Sequence, residues 1–396
     1  MDATETGERG VLDGVRVIDL SRVLAGPLCS QMLADHGADV IKIEPPAGDE
    51  TRRLGPPFDA DGNAAYFSAL NRGKRSLCLD LAQQSDRTVL HDLLKNADVL
   101  IENFLPGTMN RWDLDYESNL APTLPRLIYC TISGFGADGP LGGLPGYDAV
   151  LQAMCGLMSV NGSPQSGPTR VGVPVVDHLA GYNAFAGILL ALLARQQSGT
   201  GQRVEAALFD SALSLLIPHA ANWMCSGDEP GLLGNAHPNI APYDSFRSQD
   251  GDLFLGVVSD LQFRRLCEQT ERADLLADPR FKTNALRVRN VAALRAEIEK
   301  TLSREEVSAL CDRLMRGGVP AGRVNSIPGA FAQPHTAHRA MMVETDGYRG
   351  LGIPVKLSRN PGRPGRRPPR LNEHAEEIRA EAGSIDKKSA LNQETP

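Results

Sequence analysis

The chain has 396 residues, 42% of them hydrophobic and 22% charged, with a formal net charge of −7. This is the composition of a soluble globular protein, long enough for one large core or for two or three domains. The negative balance speaks against general affinity for nucleic acid or an anionic membrane, and seven cysteines without a C-x-x-C pair argue for reduced thiols, a cytoplasmic setting and no cysteine-built metal centre.

The polar, acidic start "MDATETGERGVLDG" does not suit a secretory signal or transit peptide. After it, "VRVIDL" (15–20) is predicted as a buried strand, "GPLCSQMLADHG" (26–37) as a helix and "ADVIKIE" (38–44) as the next strand. The pattern returns with the strand "RSLCLDL" (75–81), the helix "SDRTVLHDLLKNA" (85–97) and the strand "DVLIENF" (98–104). "RLIYCTISGFG" (126–136) adds a strand that runs into a glycine-rich loop. Short strands alternating with helices predict an α/β fold around a parallel sheet. Ligands of such sheets lie beyond the carboxyl ends of the strands, so "SRVLAGP", "ENFLPG" and "SGFGADGP" are candidate binding loops. No G-x-G-x-x-G follows the first strand, which argues against an NAD site.

Further on, "VGVPVV" (171–176) resembles a strand, and after Asp177 a row of small and apolar residues runs as a helix to Ser198-Gly199. Its most apolar stretch, 184–194, is far short of the roughly 20 residues a bilayer requires. Beyond residue 222 the texture changes to a smaller α+β domain. It opens with a hairpin turning at Asp250-Gly251 and continues into amphipathic text over 292–318. The predicted division is 1–222, 223–344 and a C-terminal segment 345–396, with "RLNEHAEEIRAE" (370–381) helical and returning to the large domain. The basic stretch 359–370, rich in Pro and Gly, is expected to be a surface connector.

Two chemistries compete for Asp177. An Asp where a helix begins is an ordinary cap; the same position suits a carboxylate nucleophile, since a helix N-terminus favours the ionised form. His178 points away along the helix and is a poor base for it. Cys155, among Met, Leu and Ala, is expected to be core. His335 and His338 offer no further metal ligands, and Arg72, Lys74, Arg75 and Arg111 are taken as solvated unless a phosphate calls on them.

Taken in order, "LDGVRVIDLSRVLAGPLCSQMLADHGADVIKIEPP", "NRGKRSLCLDL", "ADVLIENFLPG", "SGFGADGP", "GYDAVLQAMCGLM", "VVDHLAGYNAFAGILLALLARQQSGTGQRVEAAL", "DPRFKTNALRVRN" and "RPPRLNEHAEEI" resemble a class III CoA-transferase across nearly the whole chain. The resemblance implies that Asp177 is the nucleophile and that coenzyme A, as acyl-CoA, is a substrate, with no metal and no NAD. It places CoA contacts on Arg22, Val23, Leu24 and Ala25, with adenine and phosphate contacts on Leu79, Asn103, Phe104 and Arg111. Tyr147 and Asp148 are implied to line the active site. It also implies a Rossmann-like large domain, a small domain and an interlocked homodimer, acting on an acyl-CoA and a small carboxylic acid.

The chain departs from the family at several points. Tyr147 stands where the racemase branch has a catalytic His, which favours transfer over α-proton chemistry. The glycine run of formyl-CoA transferase is absent from "GLLGNAHPNIAPYDSF" (231–246), so oxalate and formate are not supported. Asn372 stands where Gly is usual, with no function attached. An acyl-CoA racemase and a non-catalytic CoA-binding protein remain the alternative readings.

Overall fold

The alternation in the first third of the sequence becomes a six-stranded sheet. The computed structural model describes residues 10–383; the first nine residues, part of the stretch read as unsuited to a signal, lie outside the described residues. The strands are β1 (Arg16–Asp19), β2 (Asp39–Glu44), β3 (Arg75–Cys78), β4 (Val99–Glu102), β5 (Ile128–Ser133) and β6 (Arg203–Ala207). They lie in the order β3-β2-β1-β4-β5-β6, every neighbouring pair parallel. Runs such as Val-Leu-Ile in β4 are fully buried, as a sheet covered on both faces requires. The order reverses between β1 and β4, so a crevice opens beyond their carboxyl ends.

Helices α1 (Ala25–Asp35), α2 (Gln84–Leu94), α3 (Asp148–Met154), α4 (Val175–Ser198) and α5 (Leu208–Ser214) complete this unit. The segment "VGVPVV" is not a strand: it approaches α4 through exposed Gly172 and Val173, and the helix already begins at Val175. Pro174, with φ fixed near −75°, suits a helix start better than a central strand. At the other end Gly199 takes φ +76° and donates its N–H to the Arg195 carbonyl, a left-handed stop that glycine adopts without strain. The 24-residue α4 meets the length and composition of a membrane span, more than the 11-residue apolar run suggested. It packs instead on α1, α5, β5 and β6. Gly181 permits this, because a Cβ there would stand 2.8 Å from the Ala25 carbonyl oxygen.

The chain divides into two compact units. The first takes residues up to Cys155, Gly172–Leu215 and Pro334 onward; the second takes Gly156–Val171 and Leu216–Gln333. In the second unit, β7 (Tyr243–Arg247) and β8 (Asp252–Gly256) pair antiparallel around the Asp250-Gly251 turn, with β9 (Ala321–Arg323) alongside. Leu294, Ile298 and Leu302, then Val307, Leu310 and Leu314, are buried at helical spacing on two helices, α6 (Val291–Leu302) and α7 (Val307–Arg316). The Glu306 carboxylate caps the second of these.

The C-terminal residues belong to the first unit. The Arg366 carbonyl accepts from Gly73 N–H, and Ile378 and Ala382 join the core beside Leu77 and Ile41. Asn372 has φ +63° and its side-chain oxygen accepts from Cys78 N–H at 2.7 Å. That left-handed backbone explains why Gly would serve there and why Asn is tolerated. In the basic stretch, Arg367 and Arg370 both pair with Asp61.

Arg72, Lys74 and Arg75 correct the expectation of a solvated surface: they are only 3%, 0% and 7% exposed. Each meets a carboxylate, Arg72 with Asp35 at 2.6 Å, Lys74 with Asp19 at 3.1 Å and Arg75 with Asp39 at 2.6 Å. A buried cation is tolerated only with such a partner.

Candidate active site

The crevice at the strand reversal holds a cavity of about 270 Å³. Three of its walls are the loops after β1, β4 and β5: Arg22 to Ala25, Asn103 to Pro106, and Ser133, Gly134 and Gly136. Leu144 to Tyr147, Glu50, Leu208 and Asp177 close it. All belong to the first unit. The loops approach closely, since a Cβ on Gly134 would lie 2.9 Å from Gly146 N.

Asp177 sits in the first turn of α4 and does not cap it. The cap comes from Asp148, buried in the first turn of α3, whose Oδ2 accepts from Val176 N–H at 2.8 Å and Asp177 N–H at 3.3 Å. Its other oxygen accepts from Gln152 Nε2 at 2.7 Å. Among the described residues nothing hydrogen-bonds to the Asp177 carboxylate. Burial, and then the negative charge of Asp148, push its carboxyl up to about 7. The helix N-terminus was expected to keep it ionised. That benefit, about 0.3–1 kcal/mol, is less than one pKa unit and loses to desolvation.

The other expected residues divide into two groups. Arg22, Leu24, Ala25, Asn103, Phe104, Tyr147 and Asp177 meet at the cavity. Asn103 spends both ends of its amide on the neighbouring loop, accepting from Arg22 N–H at 2.9 Å and donating to the Arg22 carbonyl at 2.7 Å. The Arg22 guanidinium lies 5.2 Å from the Phe104 ring centre. Leu79 is buried in the core and Arg111 lies exposed with Thr108 as its partner; neither lines the cavity. Asp148 stands behind the wall as the cap. His178 Nδ1 lies 2.9 Å from the Pro174 carbonyl, engaged on its own helix.

Sequence reasoning missed Tyr66 and Glu50. Tyr66 is half-buried, and burial, together with the charges of Asp177, Asp148 and Asp49, holds its phenol up at about 12. Its phenol therefore stays protonated throughout the neutral range, packed against Leu24, Leu28 and Leu70. Nothing in "AYFSALNRG" marks it, because most of its neighbours come from distant parts of the chain.

A parallel sheet whose strand order reverses, a cavity at that reversal and a half-buried carboxylate at a helix start, with no hydrogen-bond partner among the described residues, put a titratable group beside a ligand-sized space. The sequence profile of CoA-transferase family III matches residues 12–375. The chain belongs to that family and is an enzyme of the class III CoA-transferase type. It is 42% identical over 387 residues to a succinate–glutarate CoA-transferase of Agrobacterium fabrum, covering 95% of this chain and 96% of that one. It is 40% identical over 391 residues to an acetyl-CoA:oxalate CoA-transferase of Acetobacter aceti, covering 98% and 100%. A CAIB/BAIF family protein from Brucella suis has a solved structure that superposes with a TM-score of 0.86 at 42% identity, covering 94% of this chain and 100% of that one.

Proposed function

We propose that the enzyme moves CoA from an acyl-CoA to a small carboxylic acid through covalent intermediates on Asp177. The observation that carries this is the half-buried Asp177 carboxylate at the cavity, with no hydrogen-bond partner among the described residues. An Asp177 oxygen attacks the thioester carbonyl carbon, the C–S bond breaks, and the electron pair leaves with the CoA thiolate. The product on the protein is an aspartyl–acyl anhydride. The thiolate attacks the Asp177 Cγ, the donor acid leaves as its carboxylate, and an aspartyl-CoA thioester remains. The acceptor carboxylate attacks that carbon, expels the thiolate, and forms a second anhydride. The thiolate then takes the acceptor's acyl carbon and frees Asp177. No proton is consumed, so the sequence requires Asp177 ionised at the start.

Arg22, Val23, Leu24, Ala25, Asn103 and Phe104 are proposed to hold the CoA, with the exposed Arg111 at the nucleotide end and Tyr147 beside the thioester; Leu79, sealed in the core, is not part of this proposal. The uncapped N–H groups at the start of α1 stand at the cavity wall and suit a developing oxyanion. One relative is named for succinate and glutarate and another for oxalate; the first supports short dicarboxylates as the acids to try first, and the second puts oxalate, which the missing glycine run speaks against, among the acids to test. The assembly is proposed to be a homodimer.

The test is peptide mapping after incubation with succinyl-CoA and trapping by hydroxylamine or borohydride. The expected modification falls on Asp177 alone and is absent from Asp177→Ala. Absence of any adduct, with deuterium exchange at the acyl α-carbon that Asp177→Ala abolishes, would replace transfer by proton chemistry.

A further inference from the structure

Lys42 on β2 and Lys74 just before β3 are both fully buried, and the transfer steps use neither. Their donors go to the segment Ser21–Pro27. Lys42 Nζ donates to the Ser21 carbonyl at 2.9 Å and to Asp49 at 3.0 Å. Lys74 Nζ donates to the Pro27 carbonyl at 3.0 Å, to Asn71 at 2.8 Å and to Asp19 at 3.1 Å, which fills all three of its hydrogens. Asp19 in turn accepts from Ser21 N–H at 2.9 Å, from the Ser21 hydroxyl and from Ser30 Oγ at 2.6 Å. Thus one end of the segment is tied at Ser21 and the other at Pro27.

Between these ties the backbone is strained. Val23 has φ +70°, a left-handed value that a β-branched residue rarely adopts. Leu24 and Ala25, next in the chain, are cavity wall. Such strain persists only where the surroundings over-determine it. A buried ion pair is a poor device for stability, since a well-packed apolar pair of the same volume does as well or better. Burial alone would raise the Asp19 carboxyl, but Lys74, Lys42 and the two serine hydroxyls hold it at about 2, so it remains an acceptor at every working pH.

We propose that Lys42, Lys74 and Asp19 form a buried clamp that holds Ser21–Pro27 in the strained shape of the cavity wall, making them positioning residues for binding the CoA portion of the substrate. This rests on the reading that the cavity takes CoA, and two readouts separate the two ideas. The first is affinity for free CoA by calorimetry, with KM for succinyl-CoA and for the acid acceptor. The second needs no ligand: the rate of tryptic cleavage after Arg22, a bond inside the segment.

Lys74→Met is expected to weaken CoA binding about tenfold and to raise KM for succinyl-CoA alike. The acceptor KM and the extent of Asp177 trapping at saturating succinyl-CoA should stay as in the parent. Cleavage after Arg22 should accelerate. Val23→Gly, which removes the strain, should restore part of the affinity in the Lys74→Met background; a merely structural lysine would show no such coupling. Ser30→Ala deletes one tie to Asp19 and should move both readouts the same way by less, so the case does not depend on Lys74→Met folding. If the folded variants keep the parent's CoA affinity and cleavage rate, the clamp is wrong. If the parent itself does not bind CoA but Lys74→Met and Ser30→Ala still open the Arg22 bond, the clamp stands and the CoA reading of the cavity fails.

Discussion

At the scale of single residues the chemistry turns on two aspartates with exchanged duties. Asp177 was legible as either cap or nucleophile; Asp148 is the cap, which leaves Asp177 free. With its carboxyl near 7, the nucleophilic form of Asp177 gains population as pH rises. The kcat/KM for acyl-CoA should therefore climb through about pH 7 to a plateau. Asp148→Asn keeps an oxygen for the two N–H groups but removes the charge, so the climb should move to lower pH; an unmoved profile would separate Asp148 from the titration. Stability follows with its own sign. The folded value lies above the ordinary 3.8, so the fold holds a proton that the unfolded chain releases. Stability is then lost as pH rises between those values and the loss is complete above the upper one. Asp177→Asn carries no charge to bury, so by calorimetry it should melt a few degrees above the parent at pH 8 and level with it near pH 4. The cations of "LNRGKRSL" were misread because residue type reports only an average preference for water. Their partners Asp35, Asp19 and Asp39 come from elsewhere in the chain.

At the scale of elements, local pattern carried well where one face or both faces are apolar. The apolar cores of β1 (Val17-Ile18), β4 (Val99–Ile101) and the β2 run around buried Lys42 are legible because a parallel sheet buries both sides. "VGVPVV" has the same composition and failed, since periodicity cannot say whether an apolar run finds a neighbouring strand. The placement of Asp177 depends on how closely α4 approaches α1, and Gly181 sets that distance. Helix propensity alone makes Gly→Ala in mid-helix stabilising by about 1 kcal/mol. Here the added Cβ meets a backbone oxygen at 2.8 Å, which only a shift of the helix relieves. Gly181→Ala should therefore lower the melting temperature, by overpacking worth about 1–3 kcal/mol, and reduce kcat as Asp177 moves off its position. A variant more stable than the parent with full kcat would show that α4 has room the packing denies.

At the scale of the whole molecule, the surface of the first unit carries an argument about assembly. The mutually packed helices α3, α4 and α5 leave Val150, Met154, Tyr182, Leu190, Leu193 and Leu213 exposed. Scattered apolar residues are normal on a monomer, but several on three adjoining helices amount to a patch that water disfavours. Leu190 and Leu193 lie one turn apart on α4 and are 67% and 58% exposed, so each stands to bury most of a leucine side chain, ~1.5–3 kcal/mol apiece. A second copy of the chain is the occupant that the family resemblance implies and the one a symmetric dimer supplies. Light scattering after gel filtration should give twice the chain mass. Leu190→Glu with Leu193→Glu should lower the yield of that dimer on refolding from denaturant, because interlocked chains part only by unfolding and must bury this face again to reassemble. A parent protein that runs as a monomer at micromolar concentration would end the dimer reading. The patch would then need another cover, whereas the cavity, whose lining comes from one unit of one chain, would keep its proposed chemistry.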